Sequence, residues 1–172
     1  LACRSDDIDG AVGRLVDTWA GFHADQVYLA DSLGVIRSGA RWLTMLSLGW
    51  VLARWRRARP KSMLDNSPLR ELLADLVPVH RLNDMMRGGH LKALAVSASG
   101  YGSGLHATFY DTLADTAPWN RSQRVAVRQS ITIDHLLASS AIPFVFPAIE
   151  LGLDGRREYF GDGSMRQSAP IS

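Results

Sequence analysis

The chain has 172 residues, of which 47% are hydrophobic and 21% charged, and 19 Lys and Arg against 17 Asp and Glu give a formal net charge of +2. A chain of this length can bury about 70% of its unfolded surface, so this composition is typical of a folded globular domain and excludes intrinsic disorder. The single cysteine, Cys3, cannot form an internal disulfide or complete a cysteine-rich zinc site.

The sequence contains no segment that predicts a membrane span or a secretory signal. No apolar run reaches the about 18 residues of a transmembrane helix, and Leu1-Ala2-Cys3-Arg4 lacks the charged start and apolar core of a signal peptide. Because the sequence opens without Met, we expect a piece of a longer protein. Its expected location is the cytoplasm, with peripheral attachment to a membrane as a further expectation.

Three helices are predicted in the first half of the chain. Ser5-Asp6-Asp7 offers N-cap side chains for a helix over residues 7–29, and an uncharged apolar segment at 42–53 is long enough for a second helix. Ser67-Pro68 predicts the start of a third, which ends before Pro78. The first helix is predicted from apolar residues at helical spacing: Ile8, Val12, Leu15, Val16, Trp19, Phe22 and Val27.

The second half of the chain mixes short strands with one helix. We predict a buried strand at 91–99, a turn at Gly100-Tyr101-Gly102-Ser103-Gly104, and a partner strand at 106–110. A helix at about 132–140 follows, and 149–151 and 158–160 flank Asp154-Gly155 as a hairpin. The pattern predicts one undivided α/β domain spanning residues 1–172.

Metal and phosphate sites find little support in the sequence. The five histidines are scattered without metal-ligand spacing, so we expect no metal and no cofactor. The glycine-rich run at 100–104 does not complete G-x-G-x-x-G, because position 105 is Leu, and a strand rather than a helix follows it. A turn is the better interpretation. The acid-balanced remainder of the chain also excludes an extended basic track for nucleic acid.

A basic run directly follows the apolar segment 42–53. It comprises Arg54, Arg56, Arg57, Arg59 and Lys61, and Trp50 and Trp55 lie beside it. These residues are typical of a solvated helix end, where cations suit the negative end of the helix dipole. They are equally typical of a segment that contacts an anionic membrane surface. The sequence leaves both interpretations open.

Asp162-Gly163 directly follows a predicted strand. A glycine there lets the backbone turn sharply and leaves the carboxylate exposed at the end of the strand, where it could act as a general base. The same dipeptide is also common in ordinary turns, which have no catalytic role. By residue chemistry alone, both interpretations of Asp162 remain.

The order and spacing of several motifs resemble the patatin-like phospholipase family. The strongest similarity runs through Ala138-Ser139-Ser140-Ala141-Ile142-Pro143-Phe144-Val145-Phe146-Pro147, then Tyr159-Phe160-Gly161-Asp162-Gly163-Ser164, then residues 167–172. Leu1-Ala2-Cys3, Asp65-Asn66-Ser67-Pro68-Leu69-Arg70 and the strand at 91–99 are also similar. The resemblance implies a three-layer αβα sandwich, here incomplete on its N-terminal side.

In that family a Ser-Asp dyad hydrolyses lipid acyl esters without a cofactor. The resemblance implies that Asp162 is the dyad base and that Gly163 shapes its loop, while Ser164 stands where the family has Gly or Ala. No serine here has Gly at both −2 and +2, so the nucleophile elbow and the oxyanion loop are expected before Leu1. We therefore expect Asp162 to lie beside the first residues of the chain.

Two functions follow from this resemblance. The first is a lipid acyl hydrolase of the phospholipase A or lysophospholipase type, to which this chain supplies only the Asp, so that the chain alone is inactive. The second is a non-catalytic lipid- or membrane-binding domain, a degenerate relative of the family. The expected partner in both is a phospholipid or another acyl-ester lipid.

Overall fold

The computed structural model describes residues 1–22, 40 and 64–165. Within these ranges four α-helices and six β-strands form a mixed α/β fold. The helices are α1 (Ile8–Ala20), α2 (Ser67–Leu76), α3 (Leu82–Arg87) and α4 (Ile133–Ser140). The strands are β1 (Ala93–Gly100), β2 (His106–Thr112), β3 (Trp119–Arg121), β4 (Arg124–Arg128), β5 (Ile149–Leu153) and β6 (Arg156–Asp162). Short 3₁₀ turns cover Ala2–Arg4, Val79–Arg81 and Gly163–Met165.

The strands form one open, mixed sheet in the order β3-β4-β2-β1-β6-β5. The β1–β2 pair and the β5–β6 pair are antiparallel hairpins, as the sequence predicts, and β4 runs parallel to β2. Since β1 also pairs antiparallel with β6, the last residues of β6 lie beside the middle of the sheet.

Helix α4 packs on β1, β5 and β6, and the core lies between it and the sheet. Phe109 of β2 meets the ring of Phe160 of β6 edge-on at 5.4 Å and the ring of His135 of α4 at 4.8 Å. These side chains are fully buried together with Leu137. The sequence-based prediction of α4 is confirmed, with Thr132 as its N-cap.

Helix α1 ends earlier than its apolar periodicity predicts. The Asp7 side chain caps it by accepting from the Gly10 N–H at 3.0 Å, as expected, but Gly21 closes it after Ala20. Its apolar residues are also more exposed than an amphipathic core helix requires, since Trp19 is 66% and Val16 is 60% exposed. The prediction of a helix to residue 29 is therefore wrong at Gly21, and residues 23–29 lie outside the described part.

Helix α2 begins at Ser67 with Pro68 in its first turn, one residue earlier than a Ser67 N-cap would place it. Asp65 supports this start, because its Oδ1 accepts from the Ser67 N–H at 3.0 Å and from the Ser67 hydroxyl at 2.7 Å. The leucines of α2 are half-buried or exposed, and none is fully buried. These leucines face α1 across a largely apolar groove of about 370 Å³, whose lining includes Leu15, Trp19, Phe22, Leu69, Leu72, Leu73 and Leu76.

Candidate active site

Asp162 is the last residue of β6, and at this position β6 pairs with β1 only. The β5 pairing ends at Phe160, whereas β1 continues alongside, with Ala98 opposite Asp162. On the side that β5 no longer covers, the Asp162 N–H donates to the carbonyl oxygen of Ala141 at 2.9 Å. The backbone of Asp162 is therefore held between a central strand and the C-terminal end of α4.

The carboxylate of Asp162 is partly exposed, and one of its oxygens is already oriented. Its Oδ1 accepts a hydrogen bond from the Ser164 N–H at 2.8 Å. Among the residues that the structure describes, Oδ2 has no hydrogen-bond partner, so it is open to a group brought from outside. The donor at 164 is a backbone N–H, so this contact does not depend on the side chain at this position.

Gly163 is required by close packing rather than by an unusual φ. A Cβ at this position would lie 2.5 Å from the carbonyl oxygen of Ser97 and 2.8 Å from its carbonyl carbon. The backbone φ of Gly163 is not in the left-handed region, so the expectation that glycine permits a sharp turn is not the operative reason. Any side chain here would push the residue after Asp162 away from β1.

A tyrosine that sequence analysis placed only in a turn also meets this site. The Tyr101 phenol occupies the space where a side chain at Gly161 would stand, with Cζ 2.5 Å from the Cβ position and Oη in direct contact with it. Burial raises the pKa of Tyr101, and the negative charge of Asp162 raises it further. The sequence feature that points to this contact is Gly161, because its lack of a side chain leaves room for the phenol.

The glycine-rich run that contains Tyr101 closes around a carboxylate of the protein itself. The Ser103 N–H donates to Oε1 of Glu158 at 2.5 Å, and a Cβ on Gly100 would lie 2.7 Å from the same oxygen. The predicted turn is therefore confirmed. Its backbone donor at 103 is occupied by Glu158, which fixes the turn on β6.

The first residues of the chain share a core with the strand that leads to Asp162. The turn Ala2–Arg4 packs against Val79–Arg81 and α3, and Cys3 belongs to the same buried cluster as Phe160. Arg81 also forms an ion pair with Asp6 at 2.7 Å. These contacts hold residues 1–7 on the body of the domain.

The predicted membrane-contact residues Trp50, Arg54, Trp55, Arg56 and Arg57 lie outside the described residues, as does the apolar segment 42–53. In the ranges that the structure does describe, no helix is long and apolar enough to cross a bilayer. The same ranges contain no cluster of three His, Cys, Asp or Glu side chains that could hold a metal ion.

Comparison of the chain with protein-family models, with curated proteins and with solved structures finds no match.

Proposed function

We propose that this chain is the central and C-terminal part of a patatin-like three-layer αβα domain and that the protein hydrolyses lipid acyl esters with a Ser-Asp dyad. The observation that supports it best is the state of Asp162. Its backbone is fixed by Ala141 and β1, one carboxylate oxygen is oriented by Ser164, and the other is open. A general base needs this combination of a fixed position and an accessible lone pair.

In the proposed reaction Asp162 accepts and returns one proton during acylation of the serine and again during hydrolysis of the acyl-serine. The Oγ of a serine in a G-x-S-x-G elbow, supplied before Leu1, attacks the acyl carbonyl carbon while its proton passes to Oδ2 of Asp162. Collapse of the tetrahedral intermediate breaks the ester bond, and Asp162 returns the proton to the leaving alcohol. Water then attacks the acyl-serine by the same route, which releases the fatty acid and restores the serine.

The segment that precedes Leu1 in the whole protein tests this proposal. An elbow serine there, whose replacement by Ala abolishes hydrolysis of a short-chain nitrophenyl ester, is the expected result. A preceding segment without such a serine, or hydrolysis that survives its replacement, would contradict the proposal.

A non-catalytic lipid-binding domain is the second candidate, and the groove between α1 and α2 favours it. Most of the side chains that line the groove are apolar, with Arg4, Arg14, Thr18 and Asp75 as its polar members, and its volume lies within the range of small-molecule sites. Such a groove suits an acyl chain and requires no catalytic group. Fluorescent fatty-acid binding that is lost in Leu72→Arg, in a protein without an elbow serine, would favour this candidate over the hydrolase.

Attachment to an anionic membrane is proposed on the sequence alone. The apolar segment 42–53 would contribute burial, and each cation of the basic run would add about 1 kcal/mol near an anionic surface. Co-sedimentation with phosphatidylserine vesicles should weaken as salt rises and in the triple variant Arg54→Gln, Arg56→Gln, Arg57→Gln. Equal binding to neutral and anionic vesicles, or none at low salt, would leave only the interpretation as a core helix with a solvated basic end.

A further inference from the structure

Two hydrogen bonds to strand β6 hold the backbone of the turn that contains Tyr101. The Tyr101 N–H donates to the Tyr159 carbonyl at 2.9 Å, which extends the β1–β6 pairing by one bond beyond Gly100. Two residues later, the Ser103 N–H is bound by Glu158 of the same strand. Strand β6 therefore holds the backbone of the turn that bears Tyr101.

The side chain of Tyr101 packs directly on the residue before Asp162. The phenol occupies the position that a Cβ at Gly161 would take. The carbonyl oxygen of Ala141, which accepts from the Asp162 N–H, lies 3.0 Å from that Cβ position. Tyr101, Gly161 and Ala141 thus meet at one place, immediately before the carboxylate. The charge of Asp162 also contributes to the raised pKa of Tyr101, which indicates that the phenol and the carboxylate are within electrostatic reach.

A glycine directly before a general base creates a problem that this packing solves. Glycine has the greatest backbone freedom of any residue, so the phenol on Gly161 adds to the constraint that the β1 pairing and the Ala141 bond place on the carboxylate. Catalysis is sensitive to movement of the carboxylate, because a misplacement of about 1 Å can cost about 10²-fold in rate. A rigid aromatic ring on Gly161 removes this freedom without adding a charge.

We propose that Tyr101 is a positioning residue for Asp162, which holds the carboxylate in place by packing its ring on Gly161. This inference rests on the proposed function, in which Asp162 is the general base. The contact is made by the ring as well as the hydroxyl, so most of the effect should survive in Tyr101→Phe and be lost in Tyr101→Ala.

The test compares kcat and KM in the protein that includes the elbow serine. Tyr101→Ala should lower kcat about 10-fold or more while KM stays within about 2-fold, and Tyr101→Phe should restore kcat to near the wild-type value. Tyr159→Ala, which removes a tyrosine exposed on β6, is the matched control and should leave both constants near wild type. Wild-type kcat in Tyr101→Ala, or equal losses in Tyr101→Ala and Tyr159→Ala, would overturn the inference.

A second measurement does not depend on turnover or on the stability of the Ala variant. The NMR titration of the Tyr101 ring should give a lower pKa in Asp162→Asn than in the wild type, because one of the two causes of its raised pKa is removed. An unchanged Tyr101 pKa would contradict the proximity on which the inference depends. If Asp162→Asn retains full hydrolysis, the proposed function fails as well; if Asp162→Asn is inactive but Tyr101→Ala is not, only this inference fails.

Discussion

The backbone N–H of Asp162 donates to the carbonyl oxygen of Ala141 at 2.9 Å, and this bond joins the free end of β6 to the end of α4. Ala141 is buried and directly follows the helix, so its carbonyl has a fixed direction. The bond satisfies a donor that β5 is too short to reach. A helix end thereby positions the residue that we propose as the catalytic base.

Gly163→Ala should destabilise the domain by about 1–3 kcal/mol, because its new methyl group would overlap the backbone of Ser97 in β1. Urea unfolding of the purified chain measures this. The control is Gly152→Ala on β5, where a Cβ would meet nothing within 4 Å and the change should stay within about 0.5 kcal/mol. Equal stability of the two variants would mean that Gly163 does not approach β1 this closely.

Gly161→Ala should also destabilise the chain, and the loss should depend on Tyr101. The methyl group would overlap the phenol, so the loss should be at least about 1 kcal/mol smaller in a Tyr101→Ala background. Gly163→Ala, whose clash is with Ser97, should show no such dependence on Tyr101. Additive losses for Gly161→Ala and Tyr101→Ala would contradict the packing of this ring on Gly161.

Stability should fall as the pH drops below about 6.5, because of His135. Burial lowers the pKa of His135 below the 6.5 of an unfolded chain, and the smaller effect of Asp134 acts in the opposite direction. Its neutral Nδ1 accepts from the Thr132 N–H at 3.1 Å, which caps α4. The unfolded state therefore binds the proton first. Stability from this group is complete above the unfolded pKa and is lost as the pH falls through the folded one.

Urea unfolding at several pH values between 8 and 5, in about one-unit steps, checks this prediction. His135→Asn keeps an acceptor for the Thr132 N–H but does not titrate, so it should remove much of the loss on acidification. The control is His80→Asn, which replaces an exposed histidine and should show the same loss of stability on acidification as the wild type. A pH dependence of His135→Asn equal to that of the wild type would contradict the role of His135.

Residues 1–172 alone should not hydrolyse a short-chain nitrophenyl ester. In the proposed mechanism both the attacking hydroxyl and the oxyanion donors lie before Leu1, and loss of one oxyanion donor alone costs about 10²- to 10³-fold. Turnover that follows the protein through purification and disappears when Ser99 or another serine of this chain is replaced would contradict the assignment of the nucleophile.

Much of the fold follows from local patterns in the sequence. The β5–β6 hairpin is predicted by Asp154-Gly155, and both residues adopt the positive φ that this turn requires. Helix α4 is likewise predicted at about 132–140 and observed at Ile133–Ser140. Strands β3 and β4 are not predicted, because both are short. Strand β3 has only three residues, and the alternation of Val125 and Val127 in β4 is flanked by Arg124 and Arg128. They form through tertiary pairing, β4 with β2 and β3 with β4, which no local pattern indicates.

In the candidate site, too, some residues are predicted from local sequence and others are brought in only by tertiary contacts. Asp162 and Gly163 are predicted from the sequence by the Asp-Gly pair after a predicted strand and by the resemblance of the motif around it, and their catalytic role stays a prediction. Tyr101 and Ala141 are not found, since they reach Asp162 only through the pairing of β1 with β6 and the packing of α4. The reason for Gly163 also differs from the one expected, because the close approach of Ser97 is a tertiary contact.

The most direct test of the central claim is the rate of ester hydrolysis by Asp162→Asn in the protein that contains the elbow serine. The amide oxygen can still accept from the Ser164 N–H, so the fold should remain intact, but the side chain can no longer take the serine proton. Asp154→Asn, the same change in the β5–β6 turn, is the matched control. We predict a loss of about 10²-fold or more in kcat for Asp162→Asn and none for Asp154→Asn. Retention of more than about a tenth of the wild-type rate by Asp162→Asn would contradict its role as the general base.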